Sequence, residues 1–277
     1  MFMGVIEWNV DPEIVKLFGT FPLKYYGLLF VTGLVLGYLI VKRVYIFEKI
    51  PVENLEKLST YLFIGILAGA RIGHCLFYDF AYFSKHPLEI FLPFQITNGN
   101  WHFTGFAGLA SHGGTIGVIL AILLYYYKTR ASLLKILDLV AIGTPITAAF
   151  IRFGNFMNSE IYGKPTGGDY GVIFMKDDMI PRHPTQLYEA FSYLIIFGLL
   201  WYVYKKTNLK KRRGFIFGLL LTTLFSARLF LEIFKENQVA FEESMLLNMG
   251  QILSIPFIII GIVLIIVSSI KNKIETV

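Results

Sequence analysis

The sequence predicts an all-α polytopic membrane protein with about seven transmembrane helices, a small cap on the outer (periplasmic) face and interfacial arms. Three observations predict it. The 277-residue chain is 55% hydrophobic and only 16% charged, where ordinary soluble domains carry about 25% charged residues. Its mean hydropathy is +0.61. Its apolar residues gather in runs of roughly 20, the length that crosses about 30 Å of hydrocarbon. This composition excludes a disordered chain, a disulfide scaffold and a typical soluble enzyme. The single cysteine, Cys75, excludes an internal disulfide and a multi-cysteine metal site; neither a metal nor a cofactor is expected. Residues 1–14 lack the basic-then-apolar pattern of a cleaved signal peptide, so the spans themselves carry the membrane address.

The whole chain, 1–277, reads as a single integral membrane domain. Spans are expected at about 23–41, 58–78, 108–127, 136–152, 186–204, 214–232 and 247–270. Two connecting stretches are too long for simple turns. Residues 79–107 contain Pro87, Pro93, Asn98 and Gly99 around an apolar patch at 87–94, which suits an interfacial or re-entrant arm. Residues 153–185 are polar and rich in Gly and Pro, which suits an outer-face cap.

Cations set the orientation, because cytoplasmic loops are enriched in Lys and Arg. Lys42, Arg43, Lys49 and Lys57 follow the first span, and Lys128, Arg130 and Lys135 follow the third. Lys205, Lys206, Lys210, Lys211, Arg212 and Arg213 follow the fifth, and Lys271 and Lys273 lie in the C-terminal tail. Together these are fifteen of the chain's 25 Lys and Arg. The N-terminus is therefore expected outside and the C-terminus in the cytoplasm. The net charge of +6 becomes a topology signal with attraction to anionic membrane lipid. Nucleic acid is not expected as a partner.

With this orientation, the ionisable residues within the spans, and the polar Gln186 with them, fall in one layer near the outer leaflet. They are Tyr26, Arg71, His74, His112, Arg152, His183, Gln186, Tyr188, Glu189, Arg228 and Glu232; Asp138 alone lies at an inner end. Such residues are costly in a bilayer and mark functional sites. A single outer layer suits a substrate that resides at the outer membrane surface. Arginine forks hold phosphate bidentately, histidine transfers protons near neutrality, and Gly113 and Gly114 beside His112 let a bulky ligand approach the backbone.

Plainer readings stand beside these. Arg71 equally suits a snorkelling cation, Arg228 and Glu232 an i, i+4 ion pair, His112 a hydrogen-bonded interface residue, and His183 before Pro184 a helix cap. Cys75 suits a small buried apolar residue. An anion transporter would share the cationic layer but should show inverted repeats and midplane polar residues. A non-catalytic lipid receptor and a different lipid enzyme are further alternatives.

Residues 151–163, Ile151-Arg152-Phe153-Gly154-Asn155-Phe156-Met157-Asn158-Ser159-Glu160-Ile161-Tyr162-Gly163, resemble the signature G-R-x-G-N-F-x-N-x-E-x-x-G of the prolipoprotein diacylglyceryl transferase family. Ile151 stands where the signature has Gly. Further pieces follow the family's order: Tyr25-Tyr26-Gly27, Gly69-Ala70-Arg71-Ile72-Gly73, Ser111-His112-Gly113-Gly114, residues 183–189 (HPTQLYE) and Arg228-Leu229-Phe230-Leu231-Glu232. Lys235 stands where the family often has Arg.

The resemblance implies a multi-pass enzyme of the bacterial cytoplasmic (inner) membrane; a monomer is expected. It would move the diacylglyceryl group of phosphatidylglycerol to the lipobox cysteine of a preprolipoprotein signal peptide. It implies Arg152 and Arg228 at the phosphate, with Arg71 as a weaker third, and His112 as base for the thiol. Tyr26, Asn155 and Asn158 would bind glycerol and phosphate oxygens. Glu160 and Glu232 would hold the arginines or the histidine. Gly113, Gly114, Gly163, His183, Gln186, Tyr188 and Glu189 complete the expected substrate-binding set.

Overall fold

The computed structural model describes residues 4–17, 21–92, 94–97, 100–103, 108–236 and 245–274. Of the expected arm, residues 93, 98–99 and 104–107 lie outside this range. Nine helices, α1 (Tyr25–Phe47), α2 (Val52–Phe77), α3 (Phe80–Phe83), α4 (Leu88–Phe91), α5 (Ser111–Thr129), α6 (Leu133–Met157), α7 (Thr185–Lys206), α8 (Phe215–Leu231) and α9 (Met249–Ile274), carry most of the described chain. The short strands are β1 (Val5–Trp8), β2 (Glu13–Leu17), β3 (Phe21–Lys24), β4 (Phe94–Thr97), β5 (Asn100–Phe103), β6 (Gly171–Phe174) and β7 (Pro181–Arg182).

Among the described residues, six helices are long and apolar enough to cross a membrane: α1, α2, α6, α7, α8 with its 3-10 extension to Phe234, and α9. The seventh expected span is the helix α5. It has 19 residues but opens on Ser-His-Gly-Gly-Thr and closes on Tyr-Tyr-Tyr-Lys-Thr, and it is not among the six. Residues 1–44 and 134–277 form one compact unit, and residues 45–133 form another.

In the first unit α1 lies on α6, where the Thr147 hydroxyl donates to the Gly33 carbonyl at 2.9 Å. Asp138, near the start of α6, is buried and its two carboxylate oxygens accept the Gly214 amide at 2.6 Å and the Phe217 amide at 2.9 Å. This carboxylate thus caps the first turn of α8, where orphan N–H groups and the positive end of the helix dipole favour it. The helices α8 and α9 close against each other with Phe225 stacked on Phe257, ring centroids 4.4 Å apart.

Residues 153–185, expected as an outer-face cap, divide between a helix and a sheet. The first of them continue α6 to Met157. The later ones form a three-stranded sheet ordered β1-β6-β7. The strand β1 comes from the N-terminal segment and pairs in parallel with β6, from Val5↔Gly171 to Trp8↔Phe174. Phe156, Val172 and Phe174 make a small core beneath it, joined by Trp8, Tyr162 and Leu187. Arg182 on β7 binds the Asp178 carboxylate through Nε at 2.9 Å and Nη2 at 2.6 Å, and stacks 4.8 Å from the Tyr162 ring. This guanidinium holds the Asp178 carboxyl below the usual carboxylate range.

In the second unit α2 and α5 pack in opposite directions through glycine faces: Gly65 meets Gly117, and Gly69 and Gly73 meet Gly113. An apolar groove of about 630 Å³ follows this seam. The segment after α2 makes two helical turns, α3 and α4, and the antiparallel pair β4–β5. Phe80, Leu88 and Phe91 are exposed.

Candidate active site

Arg152 was expected to end its span, but α6 continues through it to Met157. Arg152 Nε lies 2.8 Å from Oε2 of Glu189, a fully buried residue of α7. Tyr193, one turn further along α7, lies within electrostatic reach of the same guanidinium. Arg152 Nη1 donates to Asn155 Oδ1 at 3.2 Å. Asn155 Nδ2 donates to Glu160 Oε1 at 2.7 Å, and Asn158 Nδ2 reaches the same oxygen at 3.4 Å. The alternation of amide and carboxylate leaves each group with a defined role as donor or acceptor. Gly154 lets α6 pass Tyr26, since a β-carbon there would sit 2.8 Å from the Tyr26 ring. The Tyr26 hydroxyl lies within electrostatic reach of Glu160 and Arg152.

Beyond α6 the chain reverses through Ser159 and Ile161, both left-handed with φ of 55° and 59°. Non-glycine residues seldom adopt this conformation, and it concentrates at functional sites. The reversal is clamped by side chains at the start of α7. Gln186 Nε2 donates to the Glu160 carbonyl at 2.8 Å, and the Thr185 hydroxyl donates to the Ile161 carbonyl at 3.2 Å. Gly163 then bonds to the His183 carbonyl. The His183 ring packs on Phe234 and contacts the Tyr188 hydroxyl at 3.3 Å. Gln186 and His183 thus build the turn that carries Glu160.

Arg228 and Glu232 were open to reading as an ion pair. Among the described residues, Glu232 instead faces Lys235, with Oε2 3.6 Å from Nζ. Arg228 keeps a buried Nε without a hydrogen-bond partner among the described residues and lies in the field of Tyr193. Lys235 and Tyr193 were not among the expected site residues. The signal for Lys235 was its i, i+3 spacing from Glu232; for Tyr193 it was the i, i+4 spacing from Glu189. A cavity of about 330 Å³ borders this turn, lined by Glu160, Tyr162, Asp177, Lys235 and Glu236 among others.

These residues, from Tyr26 to Lys235, all belong to the first unit. The others belong to the second. His112 is exposed in the first turn of α5. Gly113 does not leave room for a ligand, because the α2 backbone at Gly69 and Gly73 fills the space; Gly114 meets Ala70 at ordinary contact distance. Arg71 is buried and spends its fork on backbone carbonyls, donating from Nε to Ile90 at 3.1 Å and from Nη2 to Glu89 at 2.5 Å. It fastens the arm to α2 instead of lying open as a third phosphate clamp. No group of three His, Cys, Asp or Glu suited to a metal occurs among the described residues.

Residues 12–267 match the family model of prolipoprotein diacylglyceryl transferase. The chain belongs to that family. Curated relatives named phosphatidylglycerol–prolipoprotein diacylglyceryl transferase agree with it over nearly their whole length. One from Bacteroides fragilis is 51% identical over 258 residues, 93% of each chain. One from Tolumonas auensis is 47% identical over 270 residues, 97% of this chain and 99% of the relative. One from Porphyromonas gingivalis is 43% identical over 285 residues. The match with the diacylglyceryl transferases takes in the Arg152–Glu160 turn and the Arg228–Lys235 turn alike.

Proposed function

We infer that this transferase moves the sn-1,2-diacylglyceryl group of phosphatidylglycerol to the lipobox cysteine thiol of preprolipoproteins. The observation that carries this reading is Arg152, set in the family's signature turn with Nε on Glu189 and Nη1 on Asn155. In the reaction the thiol sulfur forms a bond to the lipid's terminal glyceryl carbon. The bond from that carbon to the phosphate oxygen breaks, and its electron pair leaves with glycerol 1-phosphate. The thiol proton passes to a base, for which His112 is the candidate.

The leaving phosphate gains charge. Fixed donors are worth most where water is excluded and charge develops; one such donor supplies about 3–4 kcal/mol. Arg152 and Arg228 are the donors proposed here, with Tyr26, Asn155 and Asn158 on the glycerol and phosphate oxygens. Glu189, by fixing Arg152, spares the guanidinium from reorganising during the reaction. The protein acts as a monomer in the bacterial cytoplasmic membrane, N-terminus outside and C-terminus inside, with the site near the outer leaflet. Acyl chains and the apolar signal peptide both arrive laterally from the bilayer.

The test uses purified protein, phosphatidylglycerol vesicles and a lipobox peptide. The peptide should gain the mass of one diacylglyceryl group while glycerol 1-phosphate appears in equal amount, and Arg152→Ala should do neither. A wild-type protein that forms no adduct with any phosphatidylglycerol would sink the assignment.

A further inference from the structure

Lys235 is a charged residue with almost no access to solvent: its side chain is 3% exposed. Its backbone is pinned from two sides. Its amide donates to the Glu232 carbonyl at 3.2 Å, and it forms an antiparallel bridge with Gly163 at the end of the signature turn. The Nζ atom lies 3.1 Å from Glu189 Oε1 and 3.6 Å from Glu232 Oε2. Glu189 is therefore shared between two cations, Lys235 on one oxygen and Arg152 on the other. Glu232 is itself held in place: its carboxylate rests on Gly250 in the first turn of α9, where a β-carbon would lie 2.5 Å from Oε1.

We propose that Lys235 is a positioning residue for transfer, acting through Glu189 to set the orientation of the Arg152 guanidinium; this rests on the function proposed above. A carboxylate facing arginine alone prefers the two-pronged arrangement, taking Nε and one Nη together. Lys235 claims Oε1, and the Arg152 Nε meets the other oxygen, Oε2. That leaves the Nη edge to Asn155 and to the lipid phosphate. Without Lys235, Glu189 rotates into the bidentate pair and draws the guanidinium away. A shift of about 1 Å at a reacting group costs roughly 100-fold in rate.

The experiment measures kcat and KM for phosphatidylglycerol with full-length protein and a lipobox peptide. Lys235→Met should lower kcat by about 10- to 100-fold with KM little changed, and Lys235→Arg should recover most of the rate. Glu189→Gln/Lys235→Met should be no slower than Glu189→Gln alone, because the path through Glu189 is already cut. This double variant balances the buried charge and replaces Lys235→Met in the comparison if the single variant does not fold. Full kcat in Lys235→Met overturns the proposal. So does a raised KM at constant kcat, which would put Lys235 directly on the donor, or losses that multiply in the double variant. A wild-type protein without transfer overturns this proposal and the assigned function together, whereas an active wild type with an equally active Lys235→Met overturns this one only.

Discussion

The Gly163 amide donates to the His183 carbonyl at 2.8 Å, and this bond ties the end of the signature turn to the residue before the α7 entry. A β-carbon at Gly163 would lie 2.5 Å from the Phe234 carbonyl, 2.7 Å from Thr185 and 2.8 Å from His183. Gly163→Ala should therefore destabilise the protein by about 1–3 kcal/mol, the usual cost of overpacking a tight site. A lowered melting temperature in detergent, together with reduced transfer, is the expected pair of results. An unchanged melting temperature would show that the turn can open at no cost.

Arg228 carries a buried Nε that no described residue satisfies. An unmet buried donor is costly, and a hydrogen bond to a charged acceptor returns about 1.5–3 kcal/mol. If the acceptor is the donor lipid's phosphate, Arg228→Lys should lower kcat/KM for phosphatidylglycerol by roughly 10- to 150-fold, since lysine offers a point charge and no fork. Equal kcat/KM in the two proteins would remove Arg228 from the phosphate.

His112 lies in the first turn of α5 and is exposed. As the base for the thiol it should contribute about 100- to 10,000-fold. His112→Gln, which keeps a hydrogen-bonding side chain but takes no proton, should lose that factor. A rate close to wild type between pH 6 and 9 would reassign the base.

The cap carries an acid-sensitive link. The Arg182 guanidinium depresses the Asp178 carboxyl, so the unfolded chain binds a proton there more readily than the folded one. The link's contribution is full above about pH 4, the ordinary Asp value, and is lost as pH falls through the lower folded value. The Asp178 side chain is 28% exposed, so screening keeps the contribution to about 1 kcal/mol or less. Asp178→Asn should melt slightly lower at pH 7 and lose less stability between pH 5 and pH 3 than the wild type. Parallel melting curves over that range would show that the pair contributes nothing.

Much of the fold was legible because burial in a bilayer demands long apolar runs, and these survive any rearrangement of local contacts. The ends of the runs were less legible. Arg152 looked like a boundary because its partner Glu189 lies 37 residues away on another helix, and no local pattern announces such a pair. Arg71 looked like a ligand-facing cation because sequence does not say whether backbone carbonyls will meet its fork; here Glu89 and Ile90 do. The signature residues were legible through their resemblance, yet their division of labour was not. Gln186 and Gly163 serve the turn's geometry, while Lys235, outside the expected set, holds the buried carboxylates. Four-residue strands pairing in parallel across most of the chain leave no periodic trace, so the β1–β6 pairing was not foreseen.

That pairing has a consequence for biogenesis. Val5 and Gly171 are partners 166 residues apart in sequence, and contacts at such separation form late because the intervening chain must first be brought together. Under the proposed orientation, the N-terminal strand reaches the outer face with the first span, long before β6 is synthesised. It must wait there unpaired until α6 has inserted and the chain beyond Met157 has crossed. The cap then seals only on a chain threaded through the membrane in the intended order, so its sheet is a record of correct insertion.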